Sequence, residues 1–375
     1  MTRNIFLAGF SLTLSAALAY YVNSSFLGTI VGEKNVGFVY ALAALVAMLT
    51  ISLIPTLGQR FGILKPSRWF AIAFFIGIIT LAMSRTPVIE VLAFIISYSS
   101  IVGLGLWLDI YLETLSSDKR TGRIRGGYLT TINAAVLIAP YISGQSIDYT
   151  GSYQTIYWLS GLVALPLLYQ MFWRLTDRPL PANGLRLWEK LRDLNLRKIL
   201  VIDFLLNLFY FFMVIYLPIY LHDTLAFDWG KIGLIFTIML LPFVLIEYPL
   251  GWLADRKLGE KEILSLGLII AALATIPIAS LTSQSFAVWA GLLFLTRVGA
   301  SAIESMKETY LFKKVSAGDL GVISLSRLTI PLAYLTGSLA SIIMLQFFSL
   351  LSLFIFISFL LLLGLYFSLT LEDTR

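Results

Sequence analysis

Polar residues are so sparse along this chain that they separate apolar runs rather than alternate with apolar residues. Twelve mostly apolar stretches follow one another, at 5–27, 36–57, 67–84, 88–112, 127–146, 153–173, 199–221, 231–253, 263–282, 286–311, 321–344 and 346–370. About 20 such residues suffice for a helix to cross a hydrocarbon core about 30 Å thick. Runs such as 347–371 are apolar on every face, which excludes the two-residue alternation of a membrane barrel. The connectors are short, and the longest, 174–198, is too small for a domain. The pattern predicts an all-α integral membrane protein with twelve transmembrane helices: a six-helix half over 1–174, a cytoplasmic basic linker over 175–198 and a second six-helix half over 199–375. The first stretch, with Arg3 ahead of it and Ala17-Leu18-Ala19 within it, has features of a signal peptide. It continues apolar through Tyr20 and Tyr21 to Leu27, so it is read as the first span.

Composition agrees with this pattern. Of 375 residues, 58% are hydrophobic and 13% charged, against roughly 45–50% and about 25% in soluble domains. A cytosolic enzyme, a nucleic-acid-binding domain and a disordered scaffold are therefore excluded. The absence of cysteine and the single histidine, His222, leave no thiolate site and no multi-histidine metal site. No cofactor is expected. The formal charge of +6 reflects topology, because 22 of the 27 lysines and arginines fall at the termini and in or near the even-numbered connectors, Arg68 and Lys307 counted with the connectors they adjoin. Only Lys34, Arg85 and Lys231 fall in the odd-numbered ones. This bias puts both termini in the cytoplasm, and the basic side then meets anionic lipid headgroups rather than nucleic acid.

A shift of about 196 residues lays the second half over the first. Val36-Gly37 meets Ile232-Gly233, Asp109 and Glu113 meet Glu304 and Glu308, and Gly144 meets Gly337. Duplicated six-helix halves with a substrate site between them are a transporter architecture. Gly251-Trp252-Leu253-Ala254-Asp255-Arg256-Lys257-Leu258-Gly259-Glu260-Lys261 resembles the signature loop of the major facilitator superfamily, of the form G-x-L-A-D-R-x-G-R-[RK]. The first-half copy, Gly58 to Lys65, lacks the aspartate. Ala139-Pro140-Tyr141-Ile142-Ser143-Gly144 shares part of the G-P-x-x-G-G signature of drug/proton antiporters. The resemblance implies that the loop arginine latches the cytoplasmic side by pairing with acids. The expected gate is Arg60 with Asp109 and Glu113, and Arg256 with Glu304 and Glu308, with Gly251 and Asp255 shaping the second loop. It also implies a cavity lined by the first, fourth, seventh and tenth spans. There Tyr20, Asn23, Tyr98, Asn207 and Tyr210 are candidate lining residues, with Asn133 on the fifth.

Ionisable side chains inside a bilayer cost at least about 2.5–3.5 kcal/mol at mid-helix, so each needs a reason. Glu247, Arg297 and Arg327 face Ile51, Val102 and Asn133 in the repeat and therefore have no charged copy. With Glu304 they form a candidate quartet for substrate binding and ion coupling. An acid that exchanges an arginine partner for an apolar setting also exchanges its preference for a proton. Glu247 is a candidate proton carrier or a structural ion pair, and Arg297 an anion anchor or a structural pair. Asp203 is read as a helix-start acid beside Arg197 and Lys198.

These features predict a monomeric secondary transporter in the plasma (inner) membrane of a prokaryote. It moves a small molecule by alternating access, coupled to protons, in the direction of efflux of an amphipathic, drug-like compound. No G-x-x-x-x-G-K-[ST] loop offers ATP drive within the chain. The alternatives are import of a small polar or anionic metabolite and, from another class, a membrane sensor or a membrane-embedded enzyme. An enzyme would need a cluster of acids, histidines or a serine–base pair, and a sensor an output domain. Neither is visible in the sequence.

Overall fold

The computed structural model describes residues 2–115, 121–178, 192–256, 258–314 and 320–372. Every element among them is helical. In chain order these are α1 (Thr2–Tyr20), α2 (Asn23–Val31), α3 (Val36–Phe61), α4 (Leu64–Met83), α5 (Pro87–Leu115), α6 (Thr121–Thr150) and α7 (Gln154–Tyr169). There follow α8 (Leu194–Ile219), α9 (Trp229–Leu240), α10 (Pro242–Leu245), α11 (Glu247–Arg256), α12 (Glu260–Thr275), α13 (Phe286–Lys314), α14 (Leu320–Phe347) and α15 (Ser352–Leu369). Among the described residues, ten helices are long and apolar enough to cross a bilayer. The pair Arg3–Tyr20 and Asn23–Val31, bent by 48°, brings the number to eleven. The remaining expected stretch, 127–146, lies in α6, where Thr130, Thr131, Asn133 and Gln145 interrupt the apolar residues; α6 is not among those helices.

The chain forms two compact units, Met1–Asn183 and Gly184–Arg375. In the first, α1 packs on α5, α6 and α7, and α5 also packs on α3 and α4. Trp107, Tyr111, Phe74, Phe26 and Tyr157 are its largest fully buried side chains. The outer face of α3 is a stripe of Phe38, Leu42, Leu45, Leu49 and Leu53, all exposed, while Ala43, Ala44, Ala47 and Ile54 behind it are buried. This apolar outside with a small-residue inside is what a lipid-facing helix requires.

In the second unit, α8 packs on α13, α14 and α15, α12 on α13 and α15, and the α9–α11 run on α13. The tightest crossing joins α12 to α13. A Cβ built on Gly299 would lie 2.4 Å from the Ala271 amide nitrogen and 2.6 Å from the Gly267 carbonyl oxygen. Helices in lipid gain no hydrophobic drive from meeting each other, so close backbone approach through small residues supplies the packing energy. The single stretch expected at 231–253 is broken twice. Pro242 and Pro249 lack an amide hydrogen to continue the ladder, and the run divides at Leu241 and at Ile246.

Leucine at Gly299 is expected to lower the thermal unfolding midpoint of the detergent-purified protein, because overpacking costs about 1–3 kcal/mol and here the obstacle is backbone. Alanine at Gly291, where a Cβ meets nothing within 4 Å, should leave the midpoint unchanged or raise it. Equal midpoints for the two variants would contradict the close crossing.

Candidate functional site

The polar residues of α8 recur at Asp203, Asn207 and Tyr210, spacings of four and three that place them on one helical face. On α13 the charged residues Arg297, Glu304 and Lys307 recur at spacings of seven and three. The two helices pack together, and their polar positions meet in opposite chain order, forming three rungs.

The first rung is an ion pair between Lys307 and Asp203. Asp203 is 4% exposed. Its second oxygen accepts hydrogen bonds from Thr329 Oγ1 at 2.8 Å and Ser326 Oγ at 3.0 Å. The Asn207 amide donates to Asp203 Oδ1 at 3.0 Å and to Thr329 Oγ1 at 3.3 Å. Asp203 thus binds α8 to both α13 and α14 and is not a helix-start acid. That role belongs to Asp193, whose side chain accepts from the amides of Asn195 and Leu196. Helix α8 begins at Leu194, well before Asp203 and earlier than the expected start at 199, and α13 carries Lys307 into the bundle. The signal that could have found the pair is the match between the acid spacing on the seventh span and the lysine three residues after Glu304.

On the second rung the Tyr210 hydroxyl donates to Glu304 Oε2 at 2.5 Å. The ring of Tyr210 lies 6.4 Å from that of Phe243 on α10, so the broken helix adjoins this rung. Glu247, half-buried at the start of α11, is within electrostatic reach of Tyr210, Glu304 and Glu308.

Arg297 forms the third rung, and it is the unusual one. It is 1% exposed, and its guanidinium carbon lies 5.1 Å from the ring centroids of both Phe209 and Tyr210. Nε and Nη1 are buried with no hydrogen-bond partner. No ion pair joins Arg297 to Glu247 or Glu304 among the described residues, so the expected quartet does not close here. Arg327 is half-buried on α14.

Elsewhere the expected residues are more dispersed. Arg60 is exposed, its guanidinium carbon 5.1 Å from the Phe61 ring centroid, and no ion pair joins it to the half-buried Asp109 or Glu113 in this conformation. The first loop copy, which lacks the aspartate, is met by a carboxylate from the other end of the same unit. Asp177 Oδ1 accepts from the Leu64 amide at 2.9 Å, and the Asp177 carboxylate packs against Gly62, whose φ of 77° suits glycine. In the second loop Gly251 is half-buried in α11, where a Cβ would meet nothing within 4 Å. The side chains of Asp255 and Arg256 lie outside those described, and Glu308 is half-buried. Of the lining candidates, Asn23 Oδ1 accepts from the Tyr157 hydroxyl at 2.8 Å. Tyr98 stands edge-on to Tyr40, and Tyr20 and Asn133 are half-buried.

Breaking one partner of a buried ion pair costs about 3–5 kcal/mol. Asp203→Asn and Lys307→Met are each expected to destabilise the protein on that order, while Asp203→Leu combined with Lys307→Met recovers much of the loss. Thermal unfolding of the three variants checks this; additive losses in the double variant would mean that the two groups do not act as a pair.

The family model of the Major Facilitator Superfamily matches residues 5–231 and 224–375. Among solved structures, the crystal structure of a mutant of the nucleoside transporter NupG is similar with a TM-score of 0.75 at 11% identity, over 99% of this chain and 99% of that chain. At that identity the likeness concerns the fold. A search of curated protein sequences finds no match. A polar ladder inside an apolar helical bundle, in a chain matched along its length, is the build of a membrane transporter rather than an enzyme, and the chain belongs to the major facilitator superfamily.

Proposed function

We propose that this chain is a proton-coupled secondary transporter that moves an amphipathic small molecule outward by alternating access. It works as a monomer, spanning the plasma membrane of a prokaryote twelve times with both termini in the cytoplasm. The observation that carries the reading is the Tyr210–Glu304 hydrogen bond of 2.5 Å inside the second unit. A carboxylate there can hold a proton that the hydroxyl then no longer needs to donate, so protonation and the contact between α8 and α13 are linked. The charged groups around it are Arg297, Glu247, Glu308 and Lys307 with its partner Asp203. The half-buried rings of Tyr210 and Phe243, in contact with each other, support a substrate with an apolar body.

The cytoplasmic gate completes the proposal: Arg60 alternates between the Phe61 ring and the acids Asp109 and Glu113, and Arg256 engages Glu304 and Glu308. An arginine that trades an aromatic face for a carboxylate exchanges one favourable contact for another, which suits a two-state latch.

The test uses proteoliposomes with a pH-sensitive dye inside and a panel of amphipathic cations and anions, with nucleosides added because of the structural likeness. Wild-type protein should couple substrate movement to proton movement. Glu304→Gln should abolish accumulation driven by a pH gradient while substrate still binds. Tyr210→Phe, which removes one charge-assisted hydrogen bond, should weaken coupling by about tenfold. Full pH-gradient dependence in both Glu304→Gln and Glu247→Gln would overturn proton coupling through this site. Concentration of a polar solute inward would replace efflux with import.

A further inference from the structure

Arg297 is the one rung of the ladder whose charge the surrounding protein does not satisfy. Lys307 has Asp203, and the buried Glu260 on α12 has Lys313. The arginine is equally enclosed, yet its Nε and Nη1 meet no acceptor. An ionised guanidinium has five donors and does not deprotonate in proteins, so it cannot escape the cost of burial by becoming neutral. The faces of Phe209 and Tyr210 offset part of that cost through their π electrons. Both ring centroids lie 5.1 Å from its central carbon, and a π contact does not supply the acceptors that Nε and Nη1 lack.

The location also fits a ligand. Arg297 and Glu304 are seven residues apart on α13, hence on one face and about 10 Å apart along the axis. Tyr210 spans the interval, with its hydroxyl on Glu304 and its ring on the guanidinium. Beside it stands the twice-broken α9–α11 run, which contributes Phe243 and Glu247. That run has already lost part of its internal hydrogen bonding and can rearrange without breaking a continuous helix.

We infer that Arg297 is a binding residue for the anionic group of the substrate: a planar or tetrahedral oxyanion, such as a carboxylate, sulfonate or phosphate, attached to an aromatic or otherwise apolar body. The guanidinium takes the oxyanion through one of its forks, Nε with Nη2 or Nη1 with Nη2, each of which includes one of the two unpartnered donors. The half-buried Tyr210 and Phe243 receive the body. This rests on the reading of the chain as a small-molecule transporter and narrows its substrate to amphipathic organic anions.

The test is binding without any gradient, so that it stands apart from proton coupling. Purified protein in detergent is titrated with benzoate, benzenesulfonate and phenyl phosphate, with benzamide as the neutral analogue and benzylamine as the cation, and followed by thermal unfolding and calorimetry. At least one anion should raise the unfolding midpoint saturably, and benzamide and benzylamine should not. Arg297→Met should lose this response, with binding about 10–100-fold weaker. Without ligand it should unfold no lower than wild type, because the change removes an unsatisfied charge; a structural ion-pair arginine would give a clear drop. Arg297→Lys, which keeps charge without the fork, should retain a weakened response and guards against a methionine variant that does not fold.

The inference is overturned if none of the anions shifts the wild-type midpoint, if the neutral and cationic analogues shift it as much as the anions do, or if Arg297→Met binds the anions as tightly as wild type. Anion binding that succeeds while Glu304→Gln keeps full gradient dependence would retain this site and discard the coupling mechanism. The reverse pattern would retain the coupling and discard the anion site.

Discussion

A charge enclosed by apolar protein has to find a counter-charge or a set of dipoles, and the second unit is organised around that requirement. Asp203 and Lys307 meet it for each other, with Asn207, Ser326 and Thr329 completing the carboxylate's bonds. Glu304 meets it through Tyr210. Because the groups alternate between α8 and α13, the helices are held in one register. A displacement by a single turn, about 5.4 Å, would break both paired rungs. Strong pairing at one end and an unpartnered guanidinium at the other make the two ends of the ladder unlike.

The first unit solves a different problem. Its loop at 58–65 lacks the carboxylate found in the second copy, and Asp177 supplies one from the far end of the unit. The neighbouring backbone is fastened as well. Arg68 Nε donates to the Met171 carbonyl, Tyr111 donates to the Thr176 carbonyl, and the Ile63 amide bonds the Arg178 carbonyl. The segment that leaves this unit is therefore tied to the loop between α3 and α4.

Fold class was legible in the sequence because membrane insertion imposes a simple rule: backbone polar groups must be satisfied within the segment, so long apolar runs become helices. Glu304, Arg297, Tyr210 and Asn207 were legible as intramembrane polar residues. The pairing was not, since it depends on which faces of α8 and α13 meet. Asp203 and Lys307 escaped for a specific reason: both lie near the ends of apolar stretches, where hydropathy cannot separate a solvated terminus from a buried one. The breaks at Leu241 and Ile246 were signalled by Pro242 and Pro249, but proline alone does not tell a kink from a division into three short helices. Asp177 carried no local signal, because its partner loop is 113 residues away.

Two residues beyond Arg297, Gly299 rests backbone-to-backbone on α12. At that depth α13 can neither slide nor turn without driving its main chain into Ala271, and no side chain there can yield to make room. The crossing is a clamp: it fixes α13 against α12 two residues from Arg297, so on the proposal that Arg297 binds substrate, the movement that admits and frees it falls to α8 or the broken α9–α11 run.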